Sequence, residues 1–216
     1  MIEAVVFDLD GVIVDSEQVW VEVREQYVRG LGLSYPAEAT RAMMGMSSPE
    51  WSGYLSAALG VPGSLAGINE AIVERMLIRY GTDPPLIPGA VDAIRRIAER
   101  WPIGIASSSN PELIEAVVHA AGIDAVVQVA LSSENVGRGK PAPDVYLETA
   151  RRLGAPPERC AAIEDSEPGI RSARTAGLRV IAIPNLHFPP SAEALDFADV
   201  VLETIEELTL VVVDPV

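Results

Sequence analysis

The first residues in the chain that could do chemistry are a pair of carboxylates after an apolar run. Asp8 and Asp10 flank Leu9 and follow the run 4–7, and Gly11 comes next. Four consecutive apolar residues are typical of a strand buried on both faces of a parallel sheet. Ligands of such sheets bind at the carboxyl ends of the strands, so this pair is a candidate site. An acidic turn without a chemical role is the alternative.

A hydroxyl-rich turn follows a second predicted strand. The run 107–110 contains three serines and an asparagine, and Pro111 comes next. Hydroxyls and backbone N–H groups at a strand-to-helix turn suit phosphate oxygens. The alternative interpretation is a helix N-cap, in which Ser109 or Asn110 caps the helix that Pro111 opens. Both functions use neighbouring atoms and are compatible.

A second acidic pair, Glu164 and Asp165, ends a later apolar run and precedes Ser166. If these three strand ends are neighbours, one crevice holds up to four carboxylates beside the hydroxyl cluster. Carboxylates that are crowded together repel one another unless a cation lies between them. Oxygen ligands of this kind favour Mg²⁺, which often shares its coordination with phosphate.

Lys140 is the single lysine of the chain, and it lies in a loop with two glycines before it and two prolines after it. A lysine on such a restricted loop is well placed to neutralise phosphate and carboxylate together. A solvated loop lysine is the alternative, although the scarcity of lysine favours a specific role.

Composition excludes several functional classes. The 216 residues carry 16 basic and 31 acidic side chains, a net charge of −15, which disfavours nucleic acid or an anionic membrane as a partner. No apolar run reaches the ~18 residues of a membrane helix, and no export signal is recognised, so a cytoplasmic location is expected. Cys160 stands alone, which excludes an internal disulfide and predicts a buried, unreactive thiol.

The order of the predicted elements indicates the fold class. Residues 16–81 show helical periodicity, and helices and strands alternate afterwards, as in a doubly wound parallel α/β sheet. We therefore predict an α/β core formed by residues 1–14 and 85–216 and an inserted helical cap formed by residues 15–84. The apolar tail 208–216 is not assigned. The helices expected in the core are 89–100, 111–121, 143–153 and 167–176, and the strands are 103–107, 125–130, 160–164, 179–183 and 199–202.

Taken together, the motifs resemble those of the haloacid dehalogenase superfamily of phosphotransferases. The chain is similar to the branch with a helical cap after the first strand, which contains phosphoglycolate phosphatases and β-phosphoglucomutases. The resemblance covers nearly the whole chain and depends on four features in order: the Asp8-x-Asp10-Gly11 motif, Ser107, Lys140 in Gly-Lys-Pro-x-Pro-Asp, and Glu164-Asp165.

The resemblance implies a role for each of these positions. Asp8 would be the nucleophile that forms an aspartyl-phosphate, and Asp10 would be the general acid and base. Mg²⁺ would be held by Asp8, by the backbone carbonyl of Asp10 and by Asp165, with Glu164 as a direct ligand or as a partner of one. The implied phosphate-binding residues are Leu9, Ser107, Ser108, Asn110 and Lys140.

The predicted reaction is hydrolysis of a small phosphorylated metabolite by a monomeric enzyme. The related dehalogenases lack an acid at the position of Asp10, so its presence favours a phosphate ester. A sugar-phosphate mutase is the first alternative, but the mutases have His where this chain has Trp20 and Arg where it has Ser48. A regulator that binds a phosphorylated ligand without turnover is the second alternative.

Substrate selection is expected to lie in the cap. Six residues of the cap are candidates, and for the two methionines and two tryptophans among them the alternative interpretation is packing inside the cap. The candidates are Glu17, Trp20, Met44, Met46, Ser47 and Trp51.

Overall fold

A single six-stranded sheet organises the chain in the computed structural model, which describes residues 1–43, 46–82 and 84–215. All strand pairs of the sheet are parallel, and the strand order is β3-β2-β1-β4-β5-β6. This confirms the predicted doubly wound α/β class. The strands are β1 (Ala4–Phe7), β2 (Ile103–Ser107), β3 (Val127–Ser132), β4 (Cys160–Glu164), β5 (Arg179–Ala182) and β6 (Val200–Val201).

Helices cover both faces of the sheet. Alternate residues of β1 point to opposite layers, so Val6 packs in one apolar cluster and Phe7 in the other. The core helices are α5 (Ala90–Ala98), α6 (Pro111–Ala120), α7 (Asp144–Leu153), α8 (Glu167–Ala176), α9 (Ala192–Leu195) and α10 (Leu210–Val213). All four residues of β1 are buried, which explains why this strand was recognisable as a continuous apolar run.

Among the described residues, four helices lie between β1 and α5: α1 (Glu17–Gly30), α2 (Ala37–Met43), α3 (Ser48–Leu59) and α4 (Leu65–Thr82). The two chain segments that connect them to the core run side by side. Asp15 N–H donates to the Pro85 carbonyl at 2.8 Å, and Ile87 N–H donates to the Ile13 carbonyl at 2.9 Å. The division into core and cap at residues 14/15 and 84/85 stays a prediction, and these paired segments are where a hinge would lie.

The position of β3 differs from expectation, and part of the tail that was not assigned is helical. The strand predicted at 125–130 is observed at Val127–Ser132, because Val126 and Val127 donate to the Ile123 carbonyl and prolong the turn after α6. The unassigned tail forms α10 and buries Val213. Cys160 is a buried free thiol, as predicted. Among the helices of the described residues, none is both long enough and apolar enough to cross a membrane.

Candidate active site

Three neighbouring strands bring the predicted polar clusters to one edge of the sheet. Strand β1 lies between β2 and β4, with Phe7 level with Ile105 on one side and with Ile163 on the other. The residues that follow therefore emerge together beneath a cavity of about 420 Å³. Its lining includes Asp8, Asp10, Ser108, Asn110, Lys140 and Asp165 from the core, and Glu17, Trp20, Arg24, Met46 and Trp51 from the helices after β1.

Asp8 is held at the end of β1 with one carboxylate oxygen engaged. Its Oδ1 accepts the Leu9 N–H at 2.7 Å and forms an ion pair with Lys140 Nζ at 3.0 Å. Its Oδ2 accepts no hydrogen bond from the described residues, although the side chain is buried. Burial, reinforced by Glu164, raises the pKa of the Asp8 carboxyl to about 8. The Leu9 N–H that was assigned to phosphate therefore binds Asp8 in this structure.

Lys140 and Glu164 form the charged centre of the core side. Lys140 Nζ lies 2.6 Å from Glu164 Oε1, which also accepts the Tyr146 hydroxyl at 2.6 Å. Although burial disfavours an ammonium group, Asp8 and Glu164 raise the pKa of Lys140, so it stays charged. The other oxygen, Glu164 Oε2, accepts from the backbone N–H groups of Asp165 and Ser166 and from the Ser166 hydroxyl. Both carboxylate oxygens of Glu164 therefore already accept hydrogen bonds.

The three carboxylates fit a divalent cation. One oxygen of each of Asp8, Glu164 and Asp165 lies within 4.8 Å of the others, and all three residues are buried. Two ligands of Mg²⁺ at ~2.1 Å are at most about 4.2 Å apart, so small shifts would complete the contacts. Asp165 keeps Oδ1 free of hydrogen bonds from the described residues, while its Oδ2 accepts from Asn185 Nδ2 at 3.1 Å.

The pKa of the Asp165 carboxyl lies well above its usual value, because burial and the charges of Glu164 and Asp8 disfavour ionisation. A bound cation would relieve this repulsion, which the lysine relieves only in part. Glu164 has no oxygen without a donor, so its direct coordination of an ion would require it to give up existing hydrogen bonds. Asp8 and Asp165 are therefore the side chains best prepared to bind Mg²⁺.

Asp10 joins the core to the helices that follow β1. Its Oδ2 accepts the Ser109 hydroxyl at 2.7 Å and the Ser107 hydroxyl at 3.3 Å. Its Oδ1 accepts the Ser16 hydroxyl and, at 3.4 Å, the indole N–H of Trp20. The carboxylate lines the cavity beside Asp8 with both oxygens oriented by donors.

The serine cluster is arranged differently from the prediction. Ser107 is fully buried, and its Oγ accepts the Ser109 N–H at 2.9 Å, while Ser108 lines the cavity. Asn110 occupies the N-cap position of α6, but its side chain makes no capping hydrogen bond. The predicted side-chain cap is therefore wrong. The Asn110 side chain instead accepts from Ser48 Oγ at 2.9 Å and donates to Asn69 Oδ1 at 3.2 Å.

The candidate substrate residues of the cap separate into two groups. Glu17, Trp20, Met46 and Trp51 line the cavity. Trp20 and Trp51 also pack in the apolar core, with ring centroids 6.0 Å apart, and their role in substrate selection stays a prediction. Ser47 instead binds the Glu50 carboxylate through its N–H and hydroxyl at the start of α3. Met44 lies outside the described residues.

The residues of the site that were not identified from the sequence include Ser16, Arg24, Tyr146 and Asn185. Asn185 comes shortly after the end of β5, so the rule that identified the other strand-end clusters could have found it. The other three lie within or beside helices and reach the site only through packing. No pattern in the sequence distinguishes them from ordinary helix residues.

Comparison with known proteins agrees with this geometry. Residues 2–177 match the family described as haloacid dehalogenase-like hydrolase. Fructose-1-phosphate phosphatase YqaB of Escherichia coli (strain K12) is 31% identical over 187 residues, which cover 82% of this chain and 94% of that protein. The bifunctional riboflavin kinase/FMN phosphatase of Arabidopsis thaliana is 28% identical over 95% of this chain, but the chain spans only 54% of that protein's length.

A solved structure shows the same fold along the whole chain. The crystal structure of CbbY from Rhodobacter sphaeroides in complex with phosphate has a TM-score of 0.88 and 29% identity, and the match covers 99% of this chain and 100% of that one. With a family match over most of its length, the chain belongs to the haloacid dehalogenase-like hydrolases, and the enzyme class predicted from its sequence, a phosphatase of that family, is confirmed.

Proposed function

We propose that the protein hydrolyses small phosphate monoesters with Mg²⁺ through a phosphorylated Asp8. The observation that carries the proposal is the juxtaposition of Asp8, Lys140 and Asp165 in one buried cluster that opens into a cavity. CbbY, a protein of the same fold, was solved in complex with phosphate, which supports a phosphorylated ligand for this protein.

In the first half of the reaction, a carboxylate oxygen of Asp8 attacks phosphorus while the bond between phosphorus and the ester oxygen breaks. Lys140 neutralises negative charge between the nucleophile and the phosphate, and Leu9 N–H orients the nucleophile. Asp8 and Asp165 would hold Mg²⁺, which would supply positive charge to neutralise the phosphate oxygens. Ser108 lies on the cavity wall and is the hydroxyl best placed to contact phosphate.

Asp10 moves protons in both halves of the reaction. It gives a proton to the leaving oxygen, and it later removes one from the water that attacks phosphorus and frees Asp8. The donors Ser109 and Trp20 hold the Asp10 carboxylate at the cavity wall, where it can face either the leaving group or water. Hydrolysis ends with inorganic phosphate and an unmodified Asp8.

The experiment is release of inorganic phosphate from a panel of metabolite phosphates and from p-nitrophenyl phosphate, with and without Mg²⁺. Asp8→Asn is the matched control, because it preserves the shape of the side chain and removes the nucleophile. We expect release that requires both Mg²⁺ and Asp8. Turnover no greater than that of Asp8→Asn across the panel, together with retained ligand binding, would favour the regulator instead.

The mutase alternative is tested by incubation with a sugar 1-phosphate. Trp20 and Ser48 occupy the positions at which the resembling mutases carry His and Arg, so a second phosphate lacks those partners. We therefore expect free phosphate. Formation of a sugar-phosphate isomer without free phosphate would overturn hydrolysis as the main reaction.

A further inference from the structure

We propose that Arg24 binds a second anionic group, a carboxylate or a further phosphate, carried by the leaving half of the substrate. This inference rests on the proposed function and narrows its substrate class from phosphate monoesters in general to those with a second negative charge. The residue lies on α1 and lines the same cavity as the residues at the strand ends.

Arg24 is a buried cation that has no anionic partner among the described residues. Only 9% of the residue is exposed, yet it lines the cavity. Its Nε is buried without a hydrogen-bond partner, and its guanidinium forms no hydrogen bond and no ion pair within the part of the chain that the structure describes. Arg179 is the informative contrast, since its Nε is also unpaired but its Nη2 donates to the Val212 carbonyl at 3.4 Å.

Two aromatic rings hold the Arg24 guanidinium. Its Cζ lies 4.5 Å from the centroid of the Trp20 ring and 5.1 Å from that of Trp51. Contacts with aromatic faces stabilise the cation but leave the donors at the edge of its plane unused. A guanidinium held in this way offers a planar pair of N–H donors that matches a carboxylate or a phosphate.

The nearby carboxylates do not satisfy this cation. Glu17 lines the same cavity, but it forms no ion pair within 4.0 Å of Arg24 among the described residues, and the Asp10 oxygens accept from Ser16, Trp20 and the serine cluster. Burial lowers the pKa of Arg24 to about 10, which still leaves it protonated at neutral pH. A buried charge is costly until an anion pairs with it, and a ligand in the cavity can supply that anion.

The test uses pairs of phosphate monoesters that differ in one distal group. Glycerol 1-phosphate and 3-phosphoglycerate differ by CH₂OH against carboxylate, as do sorbitol 6-phosphate and 6-phosphogluconate. Fructose 1-phosphate and fructose 1,6-bisphosphate test a distal phosphate, so the arms separate the two kinds of anion. The readout is the ratio of kcat/KM between the anionic and the neutral member of each pair.

For at least one pair, we expect the wild-type protein to favour the anionic member by about tenfold or more. Arg24→Met should lower that ratio at least about tenfold, equivalent to about 1.4 kcal/mol, and Arg24→Lys should restore part of it. Arg75→Met is the control, because Arg75 also stacks on an aromatic ring, that of Tyr27 at 5.0 Å, but is exposed and lies outside the cavity lining. The control should leave the ratio unchanged.

Calorimetric binding of the same pairs to the Asp8→Asn protein repeats the comparison without turnover. If wild-type protein releases phosphate but shows no anionic preference in any pair, the Arg24 inference is wrong and the proposed function stands. If nothing is hydrolysed while Asp8→Asn binds the anionic members through Arg24, the function is wrong and the inference stands. If Arg24→Met fails to fold, the kcat/KM ratios of the wild-type protein and of Arg24→Lys still test the inference.

Discussion

The two walls of the cavity are built in opposite ways. On the core wall, the charged groups Asp8, Lys140 and Glu164 are bound to one another and to backbone N–H groups. On the wall formed by the helices after β1, two tryptophans surround Arg24, which has no partner among the described residues. The charged groups of the first wall are paired before substrate arrives, apart from the cation that Asp8 and Asp165 would bind, whereas the cation of the second wall requires the substrate as its partner.

This difference predicts a division of labour. Preorganised charges act on the phosphoryl group, which all substrates share, so changes in Asp8, Lys140 and Glu164 should lower turnover by a similar factor for all substrates with comparable leaving groups. An incomplete wall recognises what differs between substrates, so changes there should alter ratios between substrates. The following predictions test the contrast, beginning with the largest expected effect.

Asp10→Asn should lower kcat on alkyl phosphates by about 100-fold or more, because the leaving oxygen loses its proton donor. The Asn oxygen can still accept from Trp20, and its amide can donate to the hydroxyl of Ser109, so the geometry should persist. With p-nitrophenyl phosphate, whose leaving group needs no proton, kcat/KM should fall much less than it does with alkyl phosphates, because kcat/KM reports only the steps up to release of the leaving group. Equal losses on both substrates would contradict the acid role.

Gly11→Ala should weaken Mg²⁺ binding at least about tenfold and cost about 3 kcal/mol of folding stability. A Cβ at Gly11 would lie 1.8 Å from Asp165 Oδ2, and the residue has a φ of +76°. Gly32→Ala is the matched control, since Gly32 has a φ of +77° but nothing within 4 Å. Calorimetric titration should show altered Mg²⁺ affinity only for Gly11→Ala.

Stability without Mg²⁺ should fall as the pH rises from about 4 to about 8. The pKa of Asp8 is raised to about 8 and that of Asp165 is also raised, so in this window the folded protein holds more protons than the unfolded chain. Saturating Mg²⁺ replaces those protons. It should raise the free energy of unfolding by about 2 kcal/mol more near pH 8 than near pH 5. Scanning calorimetry that finds equal stabilisation at both pH values would contradict this assignment.

Ser48→Ala should raise KM about threefold for all substrates and cost about 1 kcal/mol of stability. The Ser48 hydroxyl donates to Asn110 across the boundary between α3 and α6, and both residues are buried. Ser52→Ala is the control, because Ser52 is equally buried in α3 but donates to the Ser48 carbonyl within that helix. If the control raises KM as much, the link across the boundary has no special role.

Strands and helices of the core were predictable because their periodicity is local. The residues of β1 read as a buried strand, and Pro111 and the glycines mark helix and turn boundaries. The boundary of β3 was misplaced, since the turn at Val126 and Val127 is stabilised by the Ile123 carbonyl rather than by a turn residue. Asn110 was assigned to capping or phosphate, but its side-chain partners lie 41 and 62 residues away.

The sequence alone determined that the polar clusters meet at the strand ends, because parallel strands deliver the residues that follow them to one edge of the sheet. Only the tertiary structure decided which hydrogen-bond partners those residues have. Leu9 N–H donates to Asp8, the Ser109 hydroxyl donates to Asp10, and Glu164 accepts from Lys140 and Tyr146. Arg24 was likewise identified only from the tertiary structure, because its burial and its lack of an anionic partner among the described residues result from packing. The spacing of residues along the sequence does not predict either property.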